Sequence, residues 1–119
     1  MEKVERLGTW AGGNIELNKV LVKRLGFDTA GFLVYLLELE KSLKEFGDPY
    51  GTWTEGSRWF NVGIKVIEDD IGLSFYKQTK CISKLEELGI VEQKNMGIPR
   101  KRYFRIKHEN LAKFLKEVE

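Results

Sequence analysis

The sequence predicts an α+β fold made of one domain, 1–119, with a three-helix core, a small antiparallel hairpin, an N-terminal segment and a closing C-terminal helix. Three observations predict it. Apolar residues recur at helical spacing in four separated stretches, with glycine or a capping residue at their ends. Two short runs, 90–94 and 101–106, flank Gly97 and Pro99, which suit a hairpin tip. The 119 residues, 42% hydrophobic and 32% charged, match one domain with enough apolar material for a core.

The elements follow in order. After an irregular opening with Gly8, Gly12 and Gly13, Asn18 is placed to cap a short helix, 19–25, stopped by Gly26; a strand over 15–22 is the competing reading. Asp28 precedes the longest helical pattern, 29–46, where Phe32, Leu33, Leu36, Leu37 and Leu43 recur and Gly47 closes the run. Its first half, 32–39, is apolar almost all round and predicts burial on more than one side. The stretch 47–56, with Pro49, reads as a loop into a short strand at 58–62. Helix resumes at 64 with Ile64, Ile67 and Ile71 on one face and Glu68, Asp69 and Asp70 toward water, and Gly72 ends it. Ser74 caps the next helix, whose buried stripe is Gln78, Cys81, Ile82, Leu85 and Leu88, ending at Gly89. The hairpin comes next, and a last helix, 109–118, carries Leu111, Phe114, Leu115 and Val118 on one face.

Charge is uneven along this chain. The total is only +2, yet residues 76–107 hold nine Lys or Arg against Glu86, Glu87 and Glu92, a net +6, which leaves −4 for the rest. A basic segment on an acidic body is the footprint of a face that meets polyanions. The chemistry of other classes is missing. Cys81 is the single cysteine and His108 the single histidine, so paired thiolates for zinc, a disulfide and a Ser/His/Asp set all lack members. The expectation is a protein that is not an enzyme, with no cofactor and no metal, cytoplasmic and free of the membrane. Glu68, Asp69 and Asp70 point in different directions on a helix and read as a solvated face rather than a metal site. Trp10, Trp53 and Trp59 read as core or loop anchors, Cys81 as an inert core residue, and Gln78 as a partner for a backbone group.

Two helices separated only by Gly72, Leu73 and Ser74 cannot lie side by side as a long hairpin, so the second crosses the first steeply, as in a helix-turn-helix unit over 64–88. The stripe that packs leaves Phe75, Tyr76, Lys77, Thr79, Lys80, Ser83 and Lys84 facing outward. The run from Tyr76 to Glu92, ending Leu85-Glu-Glu-Leu-Gly-Ile-Val-Glu, resembles the recognition helix and first wing strand of the winged helix-turn-helix family. The stretch Gly97-Ile-Pro-Arg-Lys-Arg-Tyr-Phe-Arg-Ile resembles the wing of replication-associated winged helices from phages and plasmids. The resemblance covers about 28–107, with the wing at about 90–107. It departs from the family's pattern at Gln78, where many relatives are apolar, and at Gly63, where a capping Ser or Thr is usual.

The resemblance implies sequence-specific binding of double-stranded DNA, by a transcriptional regulator or a replication-associated protein. Ser74, Tyr76, Lys77, Thr79, Lys80 and Lys84 would work from the recognition helix. Lys94, Arg100, Lys101, Arg102 and Arg105 would grip phosphates from the wing, although alternation along the strand sets Lys101, Tyr103 and Arg105 on the face opposite Arg102, Phe104 and Ile106. A homodimer on paired half-sites is a candidate assembly, and the apolar stripe of the last helix reads equally as its seam or as a face packed on its own domain. The alternative is a winged helix used as a protein-interaction module without direct DNA readout; single-stranded DNA or RNA is a further possible partner.

Overall fold

The segment after Asn18 is a helix, which resolves the competing strand and helix readings. Asn18 Oδ1 accepts hydrogen bonds from Val20 N at 2.7 Å and Leu21 N at 3.4 Å, satisfying two of the free amides that begin helix α1, Lys19–Leu25. The computed structural model describes residues 17–46 and 59–117. Trp10, Trp53, Val118, the opening glycines and the loop 47–56 lie outside them. Within the described residues the chain continues as α2 (Phe27–Phe46), β1 (Phe60–Asn61), α3 (Ile64–Ile71), α4 (Phe75–Glu87), β2 (Val91–Met96), β3 (Lys101–Ile106) and α5 (His108–Glu117). The fold of the described residues is α+β, five helices with a three-stranded antiparallel sheet in the order β1-β3-β2.

Helix α2 starts two residues earlier than its apolar pattern suggests, because the Gly26 carbonyl accepts from Ala30 N at 2.9 Å and draws Phe27 into the first turn. It is the central beam. Ala30, Phe32, Leu33, Val34, Tyr35 and Leu36 are consecutive apart from Gly31 and all buried, as a helix covered on several sides requires, and α2 packs against both α1 and α4. The Tyr35 hydroxyl donates to Asp70 Oδ2 at 2.7 Å and ties α2 to the end of α3.

The sheet closes the other side of the core. Phe60 pairs with Phe104 and is fully buried with it; the Phe104 ring stands edge-on to Phe32 at 6.1 Å between centroids. In the hairpin Val91 pairs with Ile106 and Met96 with Lys101, so the strands run on to Met96 and the tip shrinks to residues 97–100. Gly97 supports that tip with φ +91°, a conformation that other residues resist. The first strand covers Phe60–Asn61 of the expected 58–62, of which residue 58 lies outside the described residues.

Two apolar positions differ from their sequence assignment. Ile64 sits in the first turn of α3 and is partly exposed, while Leu88 caps the C-terminus of α4 and turns outward. Ile67, Cys81, Ile82 and Leu85 are buried as their spacing predicts. Leu111 and Phe114, on the candidate dimer seam, are buried in this chain's own core, with the Arg24 guanidinium 4.6 Å over the Phe114 ring.

Candidate functional site

The site begins at the joint between α3 and α4. Gly72 takes φ +75° and donates to the Glu68 carbonyl, Leu73 plugs into the core, and the Ser74 hydroxyl caps α4 by accepting from Lys77 N at 3.3 Å. Gln78, fully buried, fixes how α4 sits: its amide nitrogen donates to the carbonyls of Leu73 at 2.8 Å and Ile64 at 3.0 Å. The backbone role expected for Gln78 is therefore observed. Its side-chain oxygen accepts from Arg102 Nη2 at 2.8 Å, a link from helix to sheet that sequence spacing does not show.

With Gln78, Cys81, Ile82 and Leu85 turned inward, the rest of α4 is available. Tyr76, Lys77, Thr79, Lys80, Ser83 and Lys84 are all exposed. At 3.6 residues per turn, Tyr76 and Lys80 point away from the core, Lys77 and Lys84 lie along one flank, and Phe75, Thr79 and Glu86 lie along the other, with Ser83 at its outer edge. The Lys80 ammonium rests 5.1 Å over the Tyr76 ring, and the Thr79 hydroxyl bonds back to the Phe75 carbonyl at 2.9 Å. Glu86 and Glu87 confine negative charge to the C-terminal turn, so the cations occupy the first three turns.

The second flank of α4 faces the hairpin across an open trough of about 900 Å³. Phe75, Thr79, Ser83 and Glu86 form one wall, Asn95, Arg100 and Lys101 the other, and Arg102 also lines it. Arg100 and Lys101 are exposed and make no ion pair with a described residue. The remaining expected clamps are engaged within the protein. Arg102 lies on the packing face of β3, half-buried, held by Gln78 and 4.9 Å over the Phe104 ring. Burial pulls its guanidinium down to about 10, so it is still charged at neutral pH, and its Nε is one of two buried polar side-chain atoms without a partner among the described residues. Arg105 donates to Glu92 through Nε at 2.7 Å and stacks 4.6 Å over Trp59; the Lys94 ammonium lies 5.1 Å over the same ring. Arg102 and Arg105 are thus not free outward clamps, because one faces the core and the other has a carboxylate beside it.

No protein-family model, curated protein or solved structure matches this chain.

Sequence reading missed Trp59 as the platform beneath Lys94 and Arg105. Its signal was available, since Trp59 alternates with the buried Phe60 and so must face the opposite side of the sheet. It also missed Glu40, buried in α2 and 2.8 Å from His108 Nε2 across the fold. Cys81 is buried, and desolvation raises its thiol pKa, which keeps the sulfur protonated. Among the described residues no cluster of His, Cys, Asp and Glu is arranged to hold a metal ion, and no helix is long and apolar enough to cross a membrane. The groups the site does offer, ammonium and guanidinium donors beside an open trough, suit the oxygens of an extended polyanion.

Proposed function

We propose that the chain is a winged helix-turn-helix protein that binds double-stranded DNA, laying α4 in the major groove and setting the β2–β3 hairpin against the adjoining backbone as the wing. The observation that carries this reading is that cations stand on both sides of α4: Lys77 and Lys84 on one flank, Arg100 and Lys101 across the trough on the other. A helix seated in a major groove about 12 Å wide has a phosphate strand on each side, so a reading helix needs cations on both flanks. A protein-docking surface has no such need.

The trough supports the same arrangement. One sugar-phosphate strand separates the major groove from the minor groove, and it would run between α4 and the hairpin, past Thr79, Ser83, Lys101 and the Arg102 guanidinium. Arg102 then acts as a fixed positive charge on the trough lining rather than as a mobile clamp. Tyr76 and Lys80 are left to meet base edges.

The test is fluorescence anisotropy of a random-sequence duplex with the wild type, a Lys77→Ala/Lys84→Ala variant and an Arg100→Ala/Lys101→Ala variant, at several salt concentrations. With Lys77, Lys84, Arg100 and Lys101 engaged on phosphates, log K falls with log salt at a slope of roughly −3 to −4, and each double variant makes it shallower by about 2. Lys80→Ala shifts preference between duplex sequences rather than binding to all of them. Wild-type protein that fails to bind the duplex at low salt would overturn the proposal, and tighter binding to single strands in competition would redirect it.

A further inference from the structure

The most exposed large apolar side chain among the described residues is Ile98, at 102% of its reference area. It stands beside Pro99 at the end of the hairpin, with Gly97, Pro99, Arg100 and Lys101 all exposed around it. From Lys94 to Arg102 the chain has four cations and no carboxylate. An aliphatic tip costs solvation for nothing in the isolated protein, and its basic collar suits an anionic partner with an apolar interior.

The geometry points to Ile98 and Pro99 as a wedge that enters the minor groove of the bound duplex and unstacks one base step. This inference rests on the DNA-binding reading above and adds where the hairpin goes and what it does there. Strand β1 pairs with β3 as far as Asn61–Tyr103, the Asn61 side-chain amide also donates to the Arg102 carbonyl at 2.7 Å, and Gln78 holds the Arg102 side chain. Beyond Arg102 the Met96–Lys101 pair and the tip form a short two-stranded arm. One rung at about 3.3 Å plus a turn of similar rise gives a reach of roughly 7 Å. The minor groove is about 7.5 Å deep and about 6 Å wide, so the arm is about as long as the groove is deep. It is too broad to slide in whole, because strands about 4.8 Å apart with side chains on both faces exceed that width. Only the tip fits an undeformed groove. An apolar tip that opens the groove kinks the duplex toward the major groove, and it does so most readily at pyrimidine–purine steps. Arg100 and Lys101, just behind the tip, are placed for the two phosphates that border the opening.

The experiment uses the full chain and two short duplexes, one with a central TpA step carrying 2-aminopurine and donor and acceptor dyes at its ends, the other an A-tract with the same labels. The wild type is expected to raise 2-aminopurine fluorescence, shorten the end-to-end distance, and prefer the TpA duplex by roughly 3- to 10-fold. Ile98→Ser, a change at a position without packing partners, is expected to keep binding to the A-tract duplex within about 3-fold through the cations while losing the fluorescence rise, the bend and the preference for TpA. Duplex binding without unstacking or bending, or an Ile98→Ser protein that bends DNA as the wild type does, would overturn the wedge and leave the DNA reading standing. Absence of duplex binding would overturn both. Binding to phosphatidylserine-containing vesicles that Ile98→Ser abolishes, without bending of DNA, would assign the tip to a lipid surface instead.

Discussion

Arg100 and Lys101 at the far end of the hairpin and Arg102 and Arg105 at its near end are neighbours in sequence and differ in what surrounds them. The far pair is exposed and has no ion-pair partner among the described residues; the near pair is tied to Gln78, Glu92 and the rings of Phe104 and Trp59. The difference arises from what covers each end: Gln78 of α4 and the Phe104 ring hold Arg102, while Glu92 of β2 and Trp59, just before β1, hold Arg105. Where a third strand and α4 cover the hairpin, cations acquire partners, and where the arm projects past that cover, they keep water. A count of positive charges over 76–107 therefore overstates what a ligand can meet, and the usable part lies toward the tip and on α4.

Removing the near end's anchor should have the largest effect. Phe104→Ala leaves a hole between Phe32 and Phe60 and is expected to cost about 3–5 kcal/mol in urea unfolding. A loss below about 1 kcal/mol would mean that the near end is not held by this core. Gln78→Leu ranks next: it keeps the volume but strips partners from the Leu73 carbonyl and from the half-buried Arg102, an expected cost of about 2–3 kcal/mol. Pairing it with Arg102→Met in a double-mutant cycle should recover part of that loss, since both ends of the polar link are then gone; strict additivity would argue against the link.

Arg105→Ala removes a partly exposed ion pair and a ring contact, with an expected cost of about 1 kcal/mol and an unchanged salt slope for DNA. The Arg100→Ala/Lys101→Ala pair gives the smallest change in stability, within about 0.5 kcal/mol, together with the loss of DNA affinity described above. If Arg105→Ala lowers the salt slope as much as the far pair does, the division between the two ends of the hairpin is wrong.

Much of the framework was legible in the sequence because it is local. Asn18 and Ser74 announce helix starts by the oxygen they offer to free amides, Gly26 and Gly72 announce stops, and the stripe Gln78, Cys81, Ile82 and Leu85 follows helical spacing. The alternation of Lys101, Tyr103 and Arg105 against Arg102, Phe104 and Ile106 was equally visible, and the burial of Phe104 and Ile106 decided that the second face packs. The exposed set on α4 follows from the same stripe. Ile64 and Leu88 were misread because terminal positions of a helix follow its periodicity without sharing its packing.

By itself, then, the sequence determined the α+β class, the short joint between two successive helices, the hairpin and the concentration of positive charge, because each rests on periodicity, capping or composition within a few residues. Only the tertiary structure decided which cations are available. The pairing of Arg102 with Gln78 spans 24 residues, that of His108 with Glu40 spans 68, and Trp59 meets Lys94 and Arg105 from the residue before β1. Partners that distant leave no local pattern, and an exposed side chain differs from an engaged one only in what the fold brings beside it.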